Sequence, residues 1–361
     1  QVKQSAAVGG GGFMSSRPDQ NSMWSEEKRL LARAQVVCCT CSGAEHPVLQ
    51  GMDFQSVIID EAGQATEPAT LVPLMRLHAS KGCVVLIGDH KQLPPTVADQ
   101  LSLSEGFAMP LFERLATRGV DPLLLNIQYR MHPAIAQYPS YQYYDGRLRT
   151  GIRGTKRPAP AGIAWPDERA PVAFLPVEGH EVREGTSYTN FAEIGAIEML
   201  LESILCAGDM RPEDIGIISP YAAQVRQLRR TLGSSTKLAR YNCRNSTSRE
   251  LSIEVSSVDG FQGREKELII VSTTRANLTG SVGFLSDARR LNVTITRARR
   301  GLVVCGHFQT LSTDTHGWRP WLSWAQDRGL VAGCAATDPQ AAQELLRLHG
   351  LSEEELLSGA V

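Results

Sequence analysis

A chain of 361 residues with 42% hydrophobic content has apolar material for two packed cores of ordinary domain size. Its formal net charge of −1 is not that of a polyelectrolyte binder, no run of about 18 uninterrupted apolar residues offers a transmembrane helix, and nothing near Gln1 resembles a signal peptide. Eight cysteines without paired spacing fit a reducing compartment rather than a disulfide framework, and the expected location is cytoplasmic, with the nucleus as a second site.

In chain order, residues 1–25, with the glycine run Gly9 to Gly12, read as a flexible segment, and order begins at Glu26. Apolar runs of strand length follow at 35–39, 56–60, 83–88 and 123–125, and again at 172–175, 214–219, 253–258, 268–273 and 302–306. Helical stretches at 68–77, 190–207, 222–232 and 287–298 alternate with them. That alternation predicts an α/β fold with parallel sheets covered on both faces. A boundary near Pro122 to Gln128 divides it into a partial first domain, 26–125, and a second domain, 126–333, with a helical tail over 334–361. The Gly-, Pro- and Ala-rich stretch 149–171 reads as a long loop. Trp318, Trp321 and Trp324 recur at helical spacing and are expected to pack a final amphipathic helix. Cys38, Cys39 and Cys41 in VVCCTC are expected to be buried strand residues, and no C-x2-C pair answers them, so no structural zinc is expected. Positive charge gathers at Arg147, Arg149, Arg153, Lys156 and Arg157, and again from Arg226 to Arg249, where solvated faces are the ordinary explanation.

An ordered series of motifs carries the chemistry. SVIIDEAGQ feeds an apolar strand into Asp60 and Glu61, at the carboxyl end where ligands of open α/β sheets bind. In a nucleotide hydrolase, Asp60 would hold Mg2+ on the phosphates of ATP, and Glu61 would orient and deprotonate the attacking water. VVLIGDHKQLPP repeats the strand and turn and sets Gln92 on a proline-limited segment, where its amide can bridge phosphate or water. QYRMHP places Arg130 just past the boundary, and TRAR places Arg297 between a helix and the strand LVVCG. Two such arginines would neutralise transition-state charge, an effect of roughly 10^3 to 10^5 in rate for arginine fingers. Tyr129 can stack on the adenine, Glu265 can hydrogen-bond the ribose, and Gly263 lets backbone approach phosphate.

With these residues in view, the span from Glu26 to about Leu311 resembles the motor core of the up-frameshift RNA helicases of nonsense-mediated mRNA decay, within superfamily 1B. LLARAQVVCCTCSGA, VIIDEAGQATEP, LIGDHKQLPP, QYRMHPAIAQYPS, GTSYTN, IGIISPYAAQ, SVDGFQGREKELIIVST and GFLSDARRLNVTITRAR carry the likeness. It implies two RecA-like domains, ATP hydrolysis between them with Mg2+, and 5′ to 3′ translocation on single-stranded RNA or DNA. It supports the roles given to Asp60, Glu61, Gln92, Tyr129, Arg130, Gly263, Glu265 and Arg297. It also places Thr40, Ser219, Tyr221 and Ser257 at positions that line the nucleic-acid track in such motors, though each is equally a cap or turn residue. mRNA decay factors are the implied partners, and no membrane is.

Departures from the pattern limit the reading. Ala62-Gly63 follows the acid pair where relatives tend to carry Ser-Thr or Ser-Met, while Pro94-Pro95 and DGFQG are closer to senataxin-like helicases. A DNA or RNA:DNA hybrid helicase of that kind is therefore the alternative enzyme, and a non-catalytic nucleic-acid-binding fragment is the alternative outside enzymes. No GxxxxGK[ST] phosphate loop precedes Asp60, and the Cys/His-rich regulatory domain of the decay helicases is not in the sequence. The first domain is therefore expected to be incomplete on its N-terminal side, and the chain to be part of a longer protein and inactive alone.

Overall fold

The computed structural model describes residues 27–241 and 252–332; the segments 1–25 and 334–361, and Arg244 and Arg249 of the second basic cluster, lie outside the described residues. Two compact units divide them: 27–90 with 94–121, and 91–93 with 122–332.

In the first unit, strands β1 (Ser56–Ile59) and β2 (Cys83–Leu86) pair in parallel with Ser56 opposite Cys83 and Ile59 opposite Leu86. Helix α1 (Glu67–Leu74) starts at Thr66, whose hydroxyl accepts from the Ala69 N–H at 3.4 Å, with Pro68 in the first turn. Helix α2 (Leu111–Thr117) is tied to α1 by Arg114, whose Nε and Nη2 donate to the two Glu67 carboxylate oxygens at 2.6 and 2.7 Å. That bond, helped by the opposite charge of Arg114 and opposed by desolvation, leaves the Glu67 carboxyl below its ordinary range.

The second unit carries two short pairings, β3 (Ile127–Gln128) with β4 (Arg149–Thr150) and the hairpin β6 (Val182–Glu184) with β7 (Ser187–Thr189). Its main sheet is five-stranded and parallel throughout, in the order β5 (Val172–Pro176), β11 (Ala298–Gly306), β10 (Lys266–Ser272), β8 (Ile215–Ile218), β9 (Glu254–Ser256). Period-two alternation sorts the side chains. Leu268 and Ile270 point to one face, under Ile194, Ile197 and Leu201 of α4 (Phe191–Ala207) and Leu228 and Leu232 of α5 (Ala222–Ser234). Ile269 and Val271 point to the other, under Ile135 and Tyr138 of α3 (Pro133–Tyr143), Leu291 and Ile295 of α6 (Ala288–Ile295), and Trp318 and Trp321 of α7 (Trp318–Asp327). The tryptophans thus pack the core as their spacing predicted, and the sheet is the doubly covered parallel sheet expected of an α/β chain.

Three expectations are corrected. Residues 35–39 form no strand, and Cys38 and Cys39 are exposed and Cys41 half-buried, rather than buried in a sheet. Residues 123–125 form no strand either, and Leu123 and Leu125 lie open to solvent. In both places an apolar run of strand length lacks, among the described residues, a neighbouring strand to complete a ladder, and a run without a ladder is only extended chain.

Candidate functional site

The first unit presents the acid pair on an interlocked double turn. Asp60 and Glu61 follow β1 and are exposed, and the Glu61 N–H donates to Asp60 Oδ1 at 3.0 Å. Glu61 is left-handed, φ 53°, a conformation that costs a residue with a Cβ about 1–2 kcal/mol. The turn it makes lets the Ala62 N–H reach the Ile87 carbonyl at 2.7 Å and folds Ala62–Gln64 into a 3-10 turn. Gln64 Nε2 then donates to Glu61 Oε2 at 2.6 Å, orienting the carboxylate. A Cβ on Gly88 would stand 2.7 Å from the Gly63 nitrogen, and one on Gly63 would stand 3.2 Å from the Asp89 carbonyl oxygen, so the DEAG and GDH turns interlock only because both are glycine at the crossing. That accounts for Gly63 in the pair that departs from the motif pattern. Hard carboxylate oxygens suit Mg2+, which binds through one or two carboxylates with phosphates and water. Thr40, in the same unit, accepts from the Gly43 N–H at 3.0 Å and serves as a turn cap.

In the second unit, residues from four motifs meet at the amino ends of β10 and β11. Arg130 donates from Nε to Glu265 Oε2 at 2.5 Å and from Nη1 to the Thr296 carbonyl at 3.1 Å, one residue from Arg297. Arg297 is buried, donates from Nε to the Val293 carbonyl at 3.0 Å and from Nη2 to Gln92 Oε1 at 3.1 Å. Gln92 is kept there by its neighbours: Leu93 is buried in this unit's core, and Asn292 Nδ2 donates to the Lys91 carbonyl at 2.9 Å. Gln128 cradles the turn that carries Arg130, its Oε1 accepting from the N–H groups of Arg130 and Met131 at 2.9 and 2.8 Å. Tyr129 stands exposed beside Arg130, and its ring occupies the space that a Cβ on Gly151 would take, 2.3 Å from Cε1. Gly263, at φ 74°, holds the turn that leads to Glu265. Arg299 also reaches Glu265, at 3.4 Å, so this carboxylate is shared between two guanidinium groups.

The opposite, carboxyl end of the same sheet holds the remaining candidates. Ser219 and Tyr221 flank the turn after β8 but are fully enclosed: Ser219 Oγ lies 3.0 Å from Thr274 Oγ1, and the Tyr221 hydroxyl donates to the Val282 carbonyl at 3.1 Å. Burial, ahead of the bond and charge of Arg275 that pull the other way, pushes the Tyr221 phenol up. Ser257 caps the next turn, accepting from the Gly260 N–H at 3.2 Å. Of the three, Ser219 and Tyr221 are not placed as free-standing contacts, while Ser257 is half-buried. Part of the basic charge is likewise turned inward, since Arg229 donates to the Val255 carbonyl at 3.0 and 2.6 Å and Arg157 to the Arg130 carbonyl at 3.1 Å.

Behind these turns sits a buried carboxylate that the motif reading did not single out. Glu193, in the first turn of α4, accepts from Ser272 Oγ at 2.5 Å, from Thr273 Oγ1 at 3.3 Å, and from the Thr274 N–H at 2.9 Å on each oxygen. Burial pushes its carboxyl up to about 7 against the pull of those donors. Thr274 is left-handed, φ 71°, a rare state for a β-branched residue, and the donors and acceptors around it hold the end of β10 in that shape. The N-cap pattern Asn190 to Glu193 was the available signal, but its reading as an ordinary helix cap hides the partners on β10.

The family described as "AAA domain" matches residues 107–309, more than half of the chain, and a second family of the same description matches 15–100. The chain belongs to the AAA domain family. The match over 107–309 runs from Arg130 through Arg297, and so takes in the arginine cluster. Among curated relatives, the chain is 40% identical over 290 residues to "Regulator of nonsense transcripts 1 homolog" of Neurospora crassa, covering 79% of this chain and 25% of that protein. It is 38% identical over 316 residues to "ATP-dependent helicase NAM7" of Saccharomyces cerevisiae, covering 85% and 31%. The likeness to the decay-helicase motor core drawn from the motifs is borne out, and the chain spans about a quarter of the length of such relatives. A solved structure, "Crystal structure of Arterivirus nonstructural protein 10 (helicase)", is 15% identical and covers 82% of this chain and 53% of its own, at a TM-score of 0.37, too distant to bear on the site.

Proposed function

We propose that this chain is the part of an ATP-dependent RNA helicase of the nonsense-mediated decay type that carries the metal-holding and water-activating carboxylates and both arginines, working 5′ to 3′ on single-stranded RNA within a longer protein. The observation that carries the reading is the convergence of Gln92, Arg130, Glu265 and Arg297 at one end of the second unit's sheet, from segments far apart in the chain. A pure binder has no use for one guanidinium on a glutamine amide and a second, one residue away through the Thr296 carbonyl, on a carboxylate. Asp60 would hold Mg2+, which supplies charge neutralisation on the phosphates, and Glu61, oriented by Gln64, takes the proton of the attacking water. Arg130 and Arg297 carry the developing charge, each exchanging a present partner, Glu265 or Gln92, for phosphate oxygen. Tyr129, exposed beside Arg130, faces the adenine, and Glu265 the ribose. All six described cysteines are free thiols, which supports a cytoplasmic place of work, with decay factors as partners.

Steady-state ATP hydrolysis tests the reading. In the longer protein, RNA-stimulated turnover should fall by about 10^3 or more on Arg297→Ala, and equally on Glu61→Gln. The 361-residue chain alone should show no turnover that Glu61→Gln abolishes. Full turnover in the Arg297→Ala protein overturns the assignment of the cluster, and a strong preference for RNA:DNA hybrids in unwinding overturns the decay assignment.

A further inference from the structure

At the carboxyl ends of β8 and β10 the motif side chains are enclosed, and one ring stands in front of them. Phe284 is 60% exposed. Its backbone is set by Gly283, φ 55°, where a Cβ would lie 2.5 Å from Arg275 Nη1 and 2.8 Å from the Tyr221 hydroxyl, so that glycine alone fits without displacing one of them. Behind Phe284 is the Tyr221 ring, centroids 6.0 Å apart, and behind that is Tyr188, edge-on at 5.6 Å. The Arg275 guanidinium lies 4.3 Å from the Tyr188 centroid and 5.7 Å from that of Tyr221, and Glu181 clamps it through Nε at 2.8 Å and Nη2 at 2.9 Å. An aromatic ring left in water on so firmly built a base is costly to leave uncovered. Pro220 and Arg290 line the same small notch, with the Arg290 guanidinium 3.7 Å from the Asp259 carboxylate.

We propose that Phe284 is a stacking platform for one base of single-stranded nucleic acid, with Arg290 beside it for the adjoining phosphate. The proposal rests on the motor reading above and says which group at this edge meets the strand: not Ser219 or Tyr221, whose side chains are enclosed, but the ring that Tyr221 supports. A flat exposed π-face takes any base, and an arginine at its side supplies the charge that a sugar–phosphate chain requires. Base stacking on an aromatic side chain is worth roughly ten- to a hundredfold in affinity.

The test is fluorescence anisotropy of the whole chain with a labelled oligouridylate and with an abasic strand of equal length, at one fixed salt concentration. Phe284→Ala should weaken binding of the oligouridylate about tenfold or more and leave binding of the abasic strand unchanged, and Phe284→Trp should restore it. Phe284→Leu, which keeps apolar bulk but has no π-face, should bind as Phe284→Ala does and serves where the alanine variant fails to fold. Oligouridylate binding equal to wild type in the alanine or leucine variant overturns the proposal, and is also what a ring that serves a protein partner would give. Equal losses on both strands overturn it too. If the unaltered chain binds neither strand, the motor reading itself fails, and the proposal with it.

Discussion

Strands β1 and β8 are each four residues long and nearly the same in composition, SVII and IGII, yet all of IGII is buried while only Ile59 of SVII is. Ile58 is 65% exposed, and Val84 and Val85 of the paired β2 are also open. β8 lies between β9 and β10 under helices on both faces, whereas β1 has, among the described residues, β2 alone. Burial is thus conferred on a strand by what pairs with it and covers it, and an apolar strand sequence states only the demand.

Separating the units should show the largest effect. A polypeptide of residues 122–332 should unfold in one cooperative urea transition followed by circular dichroism, and one of residues 27–121 should not; a cooperative transition in the latter would show that two strands suffice. Within the whole chain, Trp321→Ala, beneath the second sheet, should cost about 3–5 kcal/mol, while Ile58→Ser should change the unfolding free energy by no more than about 0.5 kcal/mol. Comparable losses would place β1 in a core after all.

The two units also carry carboxylates with opposite pH behaviour. The raised carboxyl of Glu193, about 7 against an ordinary 4.5, contributes stability that is full below 4.5 and is lost as pH rises through 7. Urea unfolding of the wild type should therefore lose about 3 kcal/mol over that range, and Glu193→Gln should flatten the profile. Glu67 has the reverse sign: its lowered carboxyl lends stability above its ordinary value of 4.5 that is lost as pH falls through the lower folded value. The Arg114–Glu67 pair is partly exposed and screened, so Arg114→Ala should lower the urea midpoint only slightly, and that loss should shrink in acid. A Glu193→Gln protein that keeps the wild-type slope would show that another group sets it.

Much of this was legible in the residues. Near-continuous apolar runs of strand length at β5, β8, β10 and β11 identified the second sheet, and helical spacing identified the core role of Trp318 and Trp321. Asp60 and Glu61 stood out only in the company of the other motifs, since an acid pair after a strand is often just a loop or helix cap, and Arg130 and Arg297 stood out because their motifs come in a fixed order. The runs at 35–39 and 123–125 misled for the reason β1 differs from β8: composition does not reveal a missing partner. Gln64 and Glu193 escaped notice because a glutamine in a turn and a glutamate in a first helical turn are usually local caps, and their actual partners, Glu61 and the end of β10, appear only in three dimensions.

By itself, then, the sequence determined the α/β class, the motif order and the kinds of group at each turn, because periodicity and spacing are local properties of the chain. The tertiary structure alone decided that Gln92, Arg130, Glu265 and Arg297 meet at the amino ends of β10 and β11. It alone decided that Ser219 and Tyr221 are enclosed while Phe284 stands exposed against the Tyr221 ring. A side chain's partner and its access to solvent are set by parallel strands whose neighbours lie far along the chain, and no local pattern encodes which of them will close over it.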